Sequence, residues 1–203
     1  MRQNGRAGKI EASVSRAAWP WPTRETCVKA TVVTMFGSSA PLPSSPAYQL
    51  AHNLGQAIAE AGWTLCNGGY GGTMEAAARG AVEAGGHTIG VTCSLFDRGG
   101  PNRYIHQEIP TFDLLARLNT LVRLGSAYVV LPGGTGTLLE LALVWELLNK
   151  RPVRRAAPLI LLGDHWTPLV DLVRREQPDA QAPRRAATPA EVIAHIRQTQ
   201  LPV

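Results

Sequence analysis

Apolar positions along this chain fall into short runs that switch between strand and helix periods. Residues 30–36 (ATVVTMF) form a β-branched run that stops at Gly37-Ser38-Ser39. After a Pro/Ser loop, Tyr48, Leu50, Leu54, Ala57 and Ile58 recur near helical spacing and predict a helix over residues 46–61. Residues 63–66 read as a strand closed by Asn67-Gly68-Gly69-Tyr70-Gly71-Gly72, and residues 73–84 as a helix of small side chains. The same alternation continues with a strand at 87–92, an extended piece at 105–109, a helix at 111–124 and a strand at 127–131. Pro132-Gly133-Gly134-Thr135-Gly136 then opens a helix that runs to about Asn149. A strand at 159–162, a helix at 166–175, a Pro/Ala/Arg linker and a last helix complete the pattern; Thr188-Pro189-Ala190-Glu191 supplies that helix with an N-cap, Pro at N1 and a capping-box Glu.

Strands alternating with helices imply βαβ units, hence an α/β fold: a Rossmann-like, doubly wound parallel sheet with helices on both faces. Such sheets bind ligands beyond the carboxyl ends of their strands. Each of the three Gly/Ser-rich turns directly follows a strand, so all three should share that edge. Residues 29–203 are expected to form this one domain. Residues 1–28, with scattered charges, Trp19-Pro20-Trp21-Pro22 and no sustained period, read as a flexible N-terminal extension.

Composition narrows the field. The 203 residues are 45% hydrophobic and 17% charged, enough apolar material for a packed core. No window approaches the ~20 consecutive apolar residues of a membrane-spanning helix, and residues 1–28 lack the apolar run of a secretory signal. Cys27, Cys66 and Cys93 are too widely spaced for a zinc box or a disulfide framework, which points to a reducing cytoplasm. Residues 1–30 carry six Lys/Arg against two Glu, whereas the remaining 173 residues hold 14 basic and 13 acidic side chains. The sequence pI of about 9.5 is therefore mostly a property of the N-terminus, and it argues only weakly for a nucleic-acid partner.

Several signatures are missing. Reading from Gly69 and Gly71, the dinucleotide fingerprint fails at Met74; neither Gly-rich turn is followed by the Lys of a P-loop; and G-x-S-x-G, H-E-x-x-H and CxxC do not occur. Only Lys9, Lys29 and Lys150 are present, none placed for a pyridoxal Schiff base. What remains is Pro132-Gly133-Gly134-Thr135-Gly136-Thr137-Leu138-Leu139-Glu140. Its glycines let the main chain approach a ligand, and amides at a new helix N-terminus suit an anion. Without a lysine, a monophosphate held by backbone amides and threonine hydroxyls fits better than a triphosphate. Two readings of Glu140 stand open: a capping box with Thr137 as N-cap, or a carboxylate with chemical work at the head of a buried helix. Residues 137–149 (TLLELALVWELLN) are apolar almost all round, which predicts burial on several sides, one of them against a second subunit. Arg117 also has two readings, an i,i+4 ion pair with Asp113 or a functional cation.

The run from Pro132 to Glu140 matches in full the PGGxGTxxE motif of the LOG family, and the chain resembles that family over residues 32–153. The likeness takes in Gly37-Ser38-Ser39, Gly68-Gly69-Tyr70-Gly71-Gly72 with Met74, and the strand that enters the motif. Characterised members are cytokinin nucleoside 5′-monophosphate phosphoribohydrolases. Counting back without gaps, the family's essential arginine falls at Arg117, where the family's M-H-x-R-K is Leu114-Leu115-Ala116-Arg117-Leu118 and keeps only the arginine. The Gly68–Gly72 turn also differs from the usual YGGG.

The resemblance implies hydrolysis of the N-glycosidic bond of AMP or an N6-substituted AMP, giving free base and ribose 5-phosphate. Glu140 would stabilise the oxocarbenium-like ribose and activate water. Arg117, too basic to act as a general acid, would orient Glu140 or offset charge on the leaving base. Amides of Gly133, Gly134, Thr135, Gly136 and Thr137 would hold the 5′-phosphate, while Gly37, Ser38, Ser39, Gly68, Gly69, Gly71, Gly72 and Met74 line the cleft. No cofactor and no metal are expected. The expected partners are a nucleoside monophosphate and a second copy of the chain through helix 137–149; no membrane is expected. The loop residues Asp97 and Arg98 are candidates for a cover over the cleft. A non-catalytic nucleotide or cofactor carrier of the same fold is the alternative, and a nucleic-acid-associated protein using the basic N-terminus is a third and weaker one.

Overall fold

The structure is a computed structural model that describes residues 31–96, 99–150 and 157–200. The N-terminal extension read at 1–28, Cys27 and the loop residues Asp97 and Arg98 lie outside the described residues. The order of elements is β1 (Val32–Phe36), α1 (Pro46–Glu60), β2 (Thr64–Asn67), α2 (Thr73–Glu83), β3 (Thr88–Cys93), a 3-10 turn (Ser94–Phe96), β4 (Gln107–Thr111), α3 (Leu114–Leu124), β5 (Ala127–Val130), α4 (Thr135–Asn149), β6 (Leu159–Leu162), α5 (Thr167–Glu176), β7 (Arg184–Ala186) and α6 (Pro189–Gln200).

All seven strands pair in parallel, in the order β4-β3-β2-β1-β5-β6-β7. Strand side chains alternate between two cores, as the period of two requires. Val33, Met35, Leu65, Val129, Ile160 and Leu162 join α1, α2 and α6 on one face. Phe36, Cys66, Val91, Tyr128, Val130 and Leu161 join α3, α4 and α5 on the other. This is the doubly wound sheet the alternation predicts. Its order reverses between β1 and β5, and there the crevice of such a fold opens, at the carboxyl ends of the strands. Gly37–Ser39 leave β1 and Pro132–Gly134 leave β5 on the two sides of that crevice. Main chain ties those exits together, the Leu131 amide donating to the Phe36 carbonyl at 2.9 Å.

Several elements differ from the sequence reading. The extended piece at 105–109 is a strand displaced to Gln107–Thr111; Pro110 and the exposed charge of Glu108 suit an edge strand. The helix read from residue 111 starts at Leu114, because Asp113 caps it: its carboxylate accepts from the Ala116 amide at 2.7 Å. The Pro/Ala/Arg linker contains β7, a three-residue edge strand too short to show a period. At the last helix, Thr188 Oγ1 accepts from the Glu191 amide at 3.3 Å, while the Glu191 carboxylate accepts from the Ala187 amide at 2.8 Å. That is the capping pattern with its return bond one residue earlier. No helix among the described residues is long and apolar enough to cross a membrane.

Candidate functional site

Two helices begin at the carboxyl edge of the sheet beside the β1–β5 crevice, and their N-termini differ. At α2 the first amide is already taken: the Ser38 carbonyl accepts from both the Thr73 amide and Thr73 Oγ1, each at 2.9 Å. Glu75 adds a negative charge to that first turn. The approach of the two segments depends on Gly72, at φ 67° and ψ −133°, where a Cβ would strike the Ser38–Ser39 backbone. At α4 the N-cap is Gly134, with no side-chain cap and no acidic residue in the first turn. Gly134, Thr135 and Gly136 are exposed. The positive end of that dipole and its unclaimed amides face solvent, the arrangement an anion requires.

Because α4 starts at Thr135, Thr137 is the third helical residue and not the N-cap, so Glu140 serves no capping box. Thr137 is buried, with its hydroxyl beside Gly133. The Glu140 carboxylate, in a residue only 8% exposed, instead accepts from Arg117 Nη1 at 3.3 Å. Arg117 reaches it from α3 and is itself 6% exposed; its Nε donates to the Val91 carbonyl at 2.9 Å. With Asp113 occupied as a cap, the i,i+4 pair does not form. The short-range readings of both residues give way to a long-range ion pair between α3 and α4.

The Gly68–Gly72 turn holds this pair in place. A Cβ at Gly68 would collide with the Arg117 guanidinium and press on the Met74 sulfur, so position 68 has to be glycine for Arg117 to lie there. Asn67 fastens the turn, its Oδ1 accepting from the Gly69 amide at 2.8 Å and its Nδ2 donating to the Met74 carbonyl at 3.0 Å. Asn102 Nδ2 donates to the carbonyls of Gly69 and Tyr70 at 3.0 and 2.9 Å. Arg117 Cζ lies 5.8 Å from the Tyr70 ring and 5.7 Å from the Phe96 ring, within cation–π reach of both.

The sequence-predicted residues therefore divide. Arg117 and Glu140 meet. Gly133 to Gly136, Gly37, Ser38, Ser39 and Gly71 keep open or half-open surface around the crevice, whereas Gly68, Gly69, Gly72, Met74 and Thr137 are buried supports behind it. Sequence reasoning assigned no part to Asn67, Tyr70, Phe96 or Asn102. Tyr70 sits inside the Gly-rich turn and could have been singled out there, but a lone aromatic after a strand, such as Phe96, carries no pattern.

Burial pushes the Glu140 carboxyl up to about 7, with the charge and hydrogen bond of Arg117 opposing that rise. A carboxyl that changes charge near neutrality, one and a half turns inside an open helix start, is equipped to take a proton from water or to face a developing cation.

The chain is similar to known proteins in both sequence and fold. The model of the SLOG cluster4 family matches residues 30–179. A cytokinin riboside 5′-monophosphate phosphoribohydrolase of Rhodococcoides fascians is 30% identical over 148 residues, 70% of this chain and 73% of that protein. Its counterpart of the same name from Mycobacterium marinum is 35% identical over 107 residues, 48% of this chain; the match spans 53% of that relative's length. Among solved structures, the molybdenum cofactor binding protein of the phototrophic bacterium Rippkaea orientalis superposes with a TM-score of 0.69 at 28% identity, covering 85% of this chain and 98% of the other.

Proposed function

The chain belongs to the SLOG cluster4 family and to the LOG family, and from that membership we propose that it is a nucleoside 5′-monophosphate phosphoribohydrolase. It releases the free base and ribose 5-phosphate from AMP or an N6-substituted AMP. The observation that carries this reading is the buried Arg117–Glu140 pair at 3.3 Å, set beside a helix N-terminus that nothing else caps.

The amides of Gly134, Thr135 and Gly136 receive the 5′-phosphate, with Gly37–Ser39 across the crevice. The ribose then lies over Glu140. As the C1′–N bond breaks, its electron pair leaves with the base and positive charge spreads over C1′ and the ring oxygen. The ionised Glu140 stabilises that charge and accepts the proton of the water that adds to C1′; the departing base nitrogen takes its proton from solvent. Arg117 positions the Glu140 carboxylate and favours its ionised form. Its own orientation is fixed by the Val91 carbonyl and by the Tyr70 and Phe96 rings. A homodimer belongs to the proposal, because Leu138 and Leu139 on α4 are exposed while Leu141, Val144 and Trp145 face the core.

Likeness to a molybdenum cofactor binding protein supports a second reading, a carrier that holds a nucleotide or cofactor without cleaving it. One experiment separates the two. Purified protein incubated with AMP and with N6-isopentenyl-AMP should release adenine or its N6-substituted form together with ribose 5-phosphate. Binding of either nucleotide without release of base favours the carrier.

A further inference from the structure

A nucleotide with its phosphate at the start of α4 and its ribose over Glu140 has one part left to place, the base. From Glu140 the next group is Arg117, and beside the Arg117 guanidinium stand two aromatic rings, Tyr70 and Phe96, whose centroids are 6.0 Å apart and whose planes are inclined by 52°. They are not equivalent. Tyr70 is buried, and its hydroxyl is engaged with Cys93, accepting from the amide at 2.8 Å and donating to the carbonyl at 3.2 Å. It serves as backing for Arg117. Phe96 is 37% exposed and ends the 3-10 turn that follows β3, on the same carboxyl edge as the other site loops. Its neighbour Leu95 is more exposed still.

We propose that Phe96 is the base platform of the site, a specificity-determining residue on which the planar base of a nucleoside 5′-monophosphate stacks, with Leu95 extending the apolar surface at its edge. This rests on the phosphoribohydrolase reading and deepens it. A platform of this kind reads the area of a π face and makes no use of hydrogen-bonding edges, so purine nucleotides bind more tightly than pyrimidine nucleotides. Stacking there also fixes the base relative to the Arg117–Glu140 pair.

The test measures equilibrium binding in the Glu140→Gln background, where turnover does not consume the ligand, using AMP and ribose 5-phosphate as probes. Phe96→Ala should weaken AMP about tenfold while changing ribose 5-phosphate by less than about twofold, and Phe96→Tyr should restore AMP affinity. An unchanged affinity for AMP in Phe96→Ala overturns the proposal, and so does equal weakening of both probes, which marks a merely structural role. If Glu140→Gln binds neither probe while wild type also leaves AMP intact, the phosphoribohydrolase reading itself falls and takes the platform with it.

Discussion

A carboxyl group as enclosed as that of Glu140 resists ionisation, and Arg117 offsets only part of that resistance. Ionisation is thereby deferred from the ordinary 4.5 to about 7. Between those values the folded chain holds a proton that the unfolded chain has lost. The contribution to stability is full below about pH 4.5, is lost as pH rises towards 7, and stays flat above it. Glu140→Gln lacks the titrating group, so its melting temperature should gain on that of wild type between about pH 4.5 and about pH 7, with the difference constant above that. Activity should run the opposite way, since the proposed mechanism needs the carboxylate: kcat should rise roughly tenfold from about pH 6 to about pH 8. Arg117→Met removes the group that favours ionisation. Its expected signature is a loss of about 10²-fold in kcat, with the rising limb of the pH profile displaced above that of wild type. At this scale the sequence told much but not all. The motif and the count back from it singled out Glu140 and Arg117, yet spacing alone left each with a local partner. Only the cap at Asp113 and the start of α4 at Thr135 dissolve those local readings. Tyr70 and Phe96 meet Arg117 through space, and a contact between α3 and the turns that follow β2 and β3 leaves no periodic trace.

Among the elements, the contrast between α2 and α4 decides where an anion can go. Both follow a glycine-rich turn after a strand, and on sequence both turns were assigned to the nucleotide. The Ser38 carbonyl and Glu75 occupy one helix start, while the other stays open. Thr135→Glu places a carboxylate where the α4 dipole welcomes it. This variant should gain about 0.3–1 kcal/mol in stability while weakening ribose 5-phosphate binding about tenfold, as thermal unfolding and calorimetric titration would register. The Gly68–Gly72 turn acts differently, as a seat for Arg117. Gly68→Ala sets a methyl group against the guanidinium and should cost roughly 1–3 kcal/mol of stability together with most of the hydrolytic activity. Helix and strand periods were legible where elements were long or fully buried. They failed at β7, whose three residues, two of them exposed arginines, look like linker until β6 pairs with them.

For the molecule as a whole, the reversal of strand order at β1 and β5 brings α4 and the Gly37–Ser39 turn to one crevice, and α3 crosses behind it to deliver Arg117. The alternation of periods predicted this doubly wound sheet, although the strand order itself depends on packing that no local pattern records. The helical layer with α3 and α4 also leaves Phe112, Leu115, Leu138 and Leu139 exposed, apolar surface that the proposed homodimer would cover. Sedimentation should find a dimer at micromolar concentration, and Leu139→Glu should shift it to monomer. The most direct test of the account is the structure of Glu140→Gln crystallised with AMP. The phosphate should lie within hydrogen-bonding distance of the Gly134–Gly136 amides, with C1′ of the ribose facing Arg117 and the glutamine introduced on α4. A nucleotide bound elsewhere, leaving the start of α4 empty, would contradict it.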